Sequence, residues 1–128
     1  MAIRVVRLGS PRIPGEGPRL GTVRRPPRGV PKAEHASRDF YDVWLPDLAP
    51  SENLLKQALQ ASDERAWLGF VKRYRAEMKR PEATHLLALL AALSRQTNFS
   101  VGCYCAEETR CHRSVLRELL LEHGAKLA

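Results

Sequence analysis

Three cysteines, a histidine and an arginine fall within eleven consecutive positions. They are Cys103, Cys105, Cys111, His112 and Arg113, in the pattern C-x-C-x5-C-H-R. Four chemistries fit these residue types. The first is a reactive-thiol or anion-binding site built from Cys105, Cys111 and Arg113. A guanidinium in the first turn of a helix, with the free N–H groups there, binds anions and lowers the pKa of a neighbouring thiol. The second is a structural zinc site using Cys103, Cys105, Cys111 and His112. The ligand types suit zinc, but the C-x-C and adjacent C-H spacings differ from the usual C-x2–4-C clip. The third is a reversible Cys105–Cys111 disulfide, which requires the two Cα atoms to lie within bridging reach. The fourth is plain burial, since cysteine often serves as a small hydrophobe. Cys103 fits that reading best.

Cys105 does not open a phosphatase-type C-x5-R loop, because the sixth position after it is Cys111. There is also no G-x-S-x-G, no P-loop and no G-x-G-x-x-G. The other titratable candidates are weaker. His85 opens an apolar run, His35 lies in a polar stretch, and His123 falls where a helix should end and a cation suits the dipole. Glu107 and Glu108 read as solvated loop acids, which act as bases only if that loop closes over the site.

The cluster must be positioned by a strand and a helix. Residues 99–105 (FSVGCYC) read as a strand, which places Cys103 and Cys105 on one face and Tyr104 on the other. Residues 106–110 form a loop. Cys111 to Gly124 reads as a helix with Val115, Leu116, Leu119 and Leu120 inward and Gly124 as the terminating glycine. Ligands of open α/β sheets bind beyond the carboxyl ends of the strands, which is where this cluster falls.

Upstream, Ile3–Val6 reads as a strand, residues 9–18 as a Gly/Pro turn cluster, and Leu20–Val23 as a second strand. Residues 24–29 (RRPPRG) form a rigid loop, and Phe40–Leu45 an extended segment ended by Pro46. Ser51 and Ser62 or Asp63 are helix N-cap candidates. The first helix presents Leu54, Leu55, Ala58 and Leu59. The second carries the stripe Trp67, Phe70, Val71, Tyr74 and Met78, at core-packing spacing. Residues 82–95 include HLLALLAAL, apolar nearly all round, and predict a buried helix packed on a sheet. Strands between long helices predict a compact single α/β domain, 1–128, with a small, mainly parallel sheet flanked by helices.

Composition narrows the class. At 128 residues, with 44% hydrophobic and 27% charged residues, the chain is neither disordered, fibrous nor a disulfide scaffold. No apolar run approaches the roughly 18 residues of a membrane helix, and the first residues, MAIRVVRLGSPR, lack the apolar core of a signal peptide. The expected location is the cytoplasm, with no membrane partner. The charge is uneven. Residues 1–38 form a basic, Pro/Gly-rich strand and loop region holding nine Lys/Arg and two Asp/Glu, whereas residues 39–128, mainly helical with one late strand, hold twelve of each. The basic segment reads as an arm on nucleic acid, as an ordered loop whose arginines line an anionic pocket, or as a solvated surface.

Taken together, these motifs resemble those of the YeaO-like proteins, domain-of-unknown-function family 488. The resemblance rests on Arg19, Arg24 and Pro27-Arg28-Gly29, on WLPDLAPS from Trp44 to Ser51, and on Phe70, Tyr74, Ala76, Glu77 and Met78. It continues in Cys105-Ala106-Glu107 and Cys111-His112-Arg113-Ser114. The chain departs from the pattern at Val23, where the family has Asp, and at Arg25-Pro26, where it has Leu-Trp. The resemblance implies a compact α/β domain of bacterial type and an N-terminal loop that is ordered. It implies no reaction.

The expectation that follows is a small anion-binding protein for a phosphate- or nucleotide-like molecule. Arg24, Arg28, His112 and Arg113 would hold the anion, and Cys105 or Cys111 would be the catalytic thiol. This reading takes no cofactor and no metal. Its alternatives are a nucleic-acid-binding module using the basic N-terminal region and a non-enzymatic redox or interaction protein.

Overall fold

The computed structural model describes residues 1–128. Four strands make one parallel sheet in the order β1-β4-β2-β3. They are β1 (Ile3–Arg7), β2 (Arg19–Gly21), β3 (Val43–Trp44) and β4 (Phe99–Cys103). The strand latest in the chain is therefore inserted between the two earliest. β4 is buried at every residue, as a strand covered on both faces must be.

Alternation along the strands separates two layers. Ile3, Leu20, Phe99 and Val101 face a helical layer of α1 (Glu52–Gln60), α2 (Glu64–Glu77), α3 (Pro81–Leu93) and α4 (His112–Glu122), and together they form the main core. The opposite face carries Arg19, Gly21, Ser100 and Gly102, and loops cover it. A Cβ on Gly21 would fall 2.3 Å from the Tyr41 ring, and one on Gly102 would fall 2.7 Å from Leu8. The loop packs onto the sheet only because those two positions lack side chains.

Glu16 and Arg19 form a buried ion pair at 2.9 Å on this loop-covered face, and Glu16 also accepts from the Ser100 hydroxyl at 2.8 Å. Burial alone would push the Glu16 carboxyl up. The bonds from Arg19 and Ser100 outweigh it and hold the carboxyl below its ordinary value.

Helix starts follow the capping chemistry. The Ser51 hydroxyl accepts from the Leu54 N–H, and the Asp63 carboxylate from the Ala66 N–H at 2.8 Å. Trp67, Phe70 and Tyr74 stack in sequence along α2. The Tyr74 hydroxyl donates to the Leu48 carbonyl at 2.6 Å, so the stripe is core.

Several boundaries differ from the sequence expectation. The second strand spans Arg19–Gly21, and only Val43–Trp44 of the 40–45 segment pairs. The last strand stops at Cys103, so Cys105 lies beyond it in the turn. In α1 only Leu54 is buried, and Leu59 is exposed. α3 buries Ala83, Leu87, Leu90 and Ala91 against the other helices but leaves Leu89 and Leu93 exposed. Its near-uniform apolarity hid which side faces solvent.

Candidate functional site

At the carboxyl end of β4 the chain turns outward after Cys103. Cys105 is solvent-exposed, whereas Cys103 and Cys111 are buried, and all three are free thiols. The Cys103 thiol donates toward the Cys105 sulfur across 3.8 Å. This contact joins a strand end to the following turn. It raises the Cys103 pKa well above the ordinary thiol value, since a donor to a thiolate holds its own proton. Cys105 moves the other way. Hydrogen bonds from Cys103 and Cys111 lower its pKa, with the Arg113 charge acting in the same sense, and together they outweigh desolvation.

Arg113 sits in the first turn of α4 and is 4% exposed. Its Nη2 donates to the Cys105 carbonyl at 2.6 Å, and its Nε is buried without any partner. No carboxylate pairs with it. Glu108, which feels its charge, is clasped instead by Arg117 through two 2.9 Å bonds. A buried guanidinium with neither a carboxylate nor a full set of acceptors is costly. Its charge favours the thiolate form of Cys105.

Cys111 and His112 form a second, buried pair. The His112 Nε2–H donates to the Thr22 carbonyl at 2.7 Å, which turns the Nδ1 lone pair toward the Cys111 sulfur at 3.9 Å. The Cys111 pKa is lowered, chiefly by the Cys103 thiol and with help from His112. Tyr74 packs edge-on against the imidazole at 5.6 Å. The ligand atoms of Cys103, Cys111 and His112 lie within 4.8 Å of one another. With Nε2 bonded to a backbone carbonyl, His112 is oriented as metal-binding histidines are. These three side chains could therefore hold a soft metal ion. Nothing in the sequence marks Thr22 as the residue that fixes this imidazole, because its contribution is a backbone carbonyl.

The structure brings Cys105, Cys111, His112 and Arg113 together, and the N-terminal loop folds back toward them. The Tyr104 hydroxyl donates to the Arg25 carbonyl at 2.8 Å, and the Arg7 Nε to the Tyr104 carbonyl at 3.2 Å. Arg24 is otherwise engaged. Its guanidinium donates to the carbonyls of Pro46, Ala49 and Pro50 and holds that turn in place. Arg28 is exposed on the same loop. Other basic residues of the N-terminal third are also committed. Arg12 pairs with Asp39 and Asp42, Arg19 with Glu16, and Arg25 with Glu52. The concentration of positive charge in the sequence is thus partly spent on internal pairs.

A family model described as "Active DUF488-N3 subclade" matches residues 3–124, a span that includes the sheet and the whole cysteine cluster. No curated protein matches the chain. No solved structure matches it either.

Proposed function

The chain belongs to the active DUF488-N3 subclade, and from that premise we propose that it is a thiol-dependent enzyme acting on a small anionic molecule. Cys105 is the nucleophile. Arg113 holds the thiolate and then the anionic group that approaches it. The observation that carries this reading is Arg113 itself, a buried guanidinium with an unpartnered Nε and no carboxylate, bonded to the residue that bears the exposed thiol. The subclade's description as active supports an enzyme over an inert scaffold.

In this reading Cys103 keeps its proton and donates to the Cys105 sulfur. The sulfur lone pair forms the new bond to an electrophilic carbon, and the leaving group departs with its bonding pair. Arg28, on the loop that Tyr104 ties back, offers a free guanidinium for a more distant anionic group. Arg24 acts on the site only through the backbone it holds.

Alkylation at mildly acidic pH tests the assignment. Treatment with iodoacetamide at about pH 6, where an ordinary thiol is almost wholly protonated, should give one adduct, mapped to Cys105 and absent from Cys105→Ser. Equal, slow labelling of all three cysteines would overturn the reading.

A further inference from the structure

Apart from the cysteines, the structure contains a cavity of about 460 Å³ between residues 26–36 and the open edge of the sheet at β3. That volume lies within the roughly 300–1,000 Å³ of small-molecule sites. Val30, Lys32, His35, Tyr41, Asp42 and Trp44 line it.

Three features of these walls point to one kind of occupant. Trp44 is 43% exposed, yet its ring orientation is fixed because the indole N–H donates to the Val23 carbonyl at 2.8 Å. A large aromatic face held rigidly at a cavity wall is a stacking platform. Tyr41 is 4% exposed and packs over Gly21. His35 braces it edge-on at 5.2 Å, while the His35 Nε2–H is spent on the Val30 carbonyl at 3.1 Å. The Tyr41 hydroxyl makes no hydrogen bond within the protein, and desolvation alone raises its pKa. The hydroxyl itself is not sealed from solvent, since the one buried polar side-chain atom without a partner is the Arg113 Nε, so on the cavity that Tyr41 lines it is an uncommitted donor and acceptor open to a ligand.

The third feature is charge. Lys32 is exposed and enters none of the ion pairs. The only acid of the lining, Asp42, is held by the Arg12 guanidinium at 2.8 Å and accepts from the Arg19 N–H at 2.7 Å. Its negative charge is therefore already countered, and the free charge at the cavity is positive.

We propose that this cavity binds a nucleoside 5′-monophosphate, with the base stacked on Trp44, a polar edge of the base hydrogen-bonded to the Tyr41 hydroxyl, and the phosphate drawn to Lys32. The proposal does not rest on the thiol reading, because none of the cysteines lines the cavity.

Equilibrium dialysis against each of the four ribonucleoside 5′-monophosphates at fixed ionic strength tests it, with ribose 5-phosphate and inorganic phosphate as controls. At least one nucleotide should bind, while the two controls, which lack a base, should not. Trp44→Ala should weaken binding about tenfold or more, as loss of base stacking does, and Tyr41→Phe several-fold. Lys32→Ala, an exposed change that does not threaten folding, should weaken binding and flatten its salt dependence. Cys105→Ser should bind as the parent does. Absence of binding by all four nucleotides, binding indifferent to Lys32, or loss of binding in Cys105→Ser each overturns the proposal. The last result would place the ligand at the thiol and leave the thiol reading standing.

Discussion

The guanidinium of Arg113 reaches back from the first turn of α4 to the backbone carbonyl of Cys105, 2.6 Å away. One bond thereby fixes both the course of the turn carrying the exposed thiol and the position of a buried positive charge beside that thiol. Helix α4 also points its amino end at the same place, and its partial positive charge acts with Arg113 on any anion there.

Arg113→Met should separate these contributions. The substitution keeps much of the buried apolar stem and removes the charge. Because Arg113 helps lower the Cys105 pKa, its loss moves the onset of thiolate reactivity upward, toward the ordinary thiol value of about 8.5. Alkylation rate against pH is the measurement. The parent should be nearly flat from about pH 5 to 8, and Arg113→Met should rise across that range. Superimposable profiles would show that Arg113 does not govern the thiol.

Stability in acid should depend on Glu16. Its folded-state pKa lies below the ordinary carboxylate value despite the upward pull of burial. A depressed pKa contributes stability that is fully present above the unfolded value of about 4.3 and is lost as pH falls through the folded value. Glu16→Gln should therefore flatten the acid limb of a urea-denaturation series. At neutral pH it should cost about 3–5 kcal/mol, because Arg19 is left buried without its partner. A loss below about 1 kcal/mol, the range of an exposed pair, would contradict the buried geometry.

Gly21→Ala tests the loop layer. The added methyl would fall 2.3 Å from the Tyr41 ring, so either the ring or β2 must shift, at a cost of about 1–3 kcal/mol. Thermal unfolding reads the loss. Gly69→Ala serves as a control, since its Cβ would meet only the Arg73 Nη1 at 3.6 Å and it lies within α2 with no positive φ. An effect at Gly21 no larger than at Gly69 would mean that Tyr41 does not rest on the sheet.

Metal content separates the reactive-thiol reading from a structural one. On the reading proposed above, native mass spectrometry of protein purified without chelator gives the mass of the bare reduced chain. A bound zinc that disappears in Cys111→Ser would instead make Cys103, Cys111 and His112 ligands, and a zinc-bound Cys103 thiolate could no longer donate to the Cys105 sulfur as the proposal requires. The buried Cys111–His112 pair then acquires a structural role, and chelation should lower the unfolding temperature.

The sequence makes some of this site legible and conceals the rest for identifiable reasons. The α2 stripe and the Asp63 cap follow from local periodicity and capping, and the structure has both. The placement of Cys111, His112 and Arg113 at a helix start after a buried strand is local as well. The meeting of Cys103 with Cys105 is less so. Strand alternation puts them on one face, but β4 ends at Cys103, and the two sulfurs meet across a turn. The engagement of Arg24 is invisible in sequence because its partners are three backbone carbonyls more than twenty residues away. The cavity beside Trp44 is equally concealed. FYDVWL announces an extended aromatic segment, but only the return of residues 26–36 makes a hollow against it.

The strand order also governs when this site comes into being. β1 and β2 are separated in the sheet by β4, which the ribosome delivers some eighty residues after β2. Until residues 99–103 emerge, β1 has no strand to pair with, and the buried faces of Ile3 and Leu20 lack their central neighbour. Nascent chains must therefore hold an unfinished sheet while three helices are made. Insertion of this five-residue segment completes the sheet, and α4, which follows, brings Val115, Leu116, Leu119 and Leu120 into the core and gathers the thiol cluster. Completion of the core and the gathering of the three cysteines, all of which lie at or beyond the end of β4, become nearly the same event.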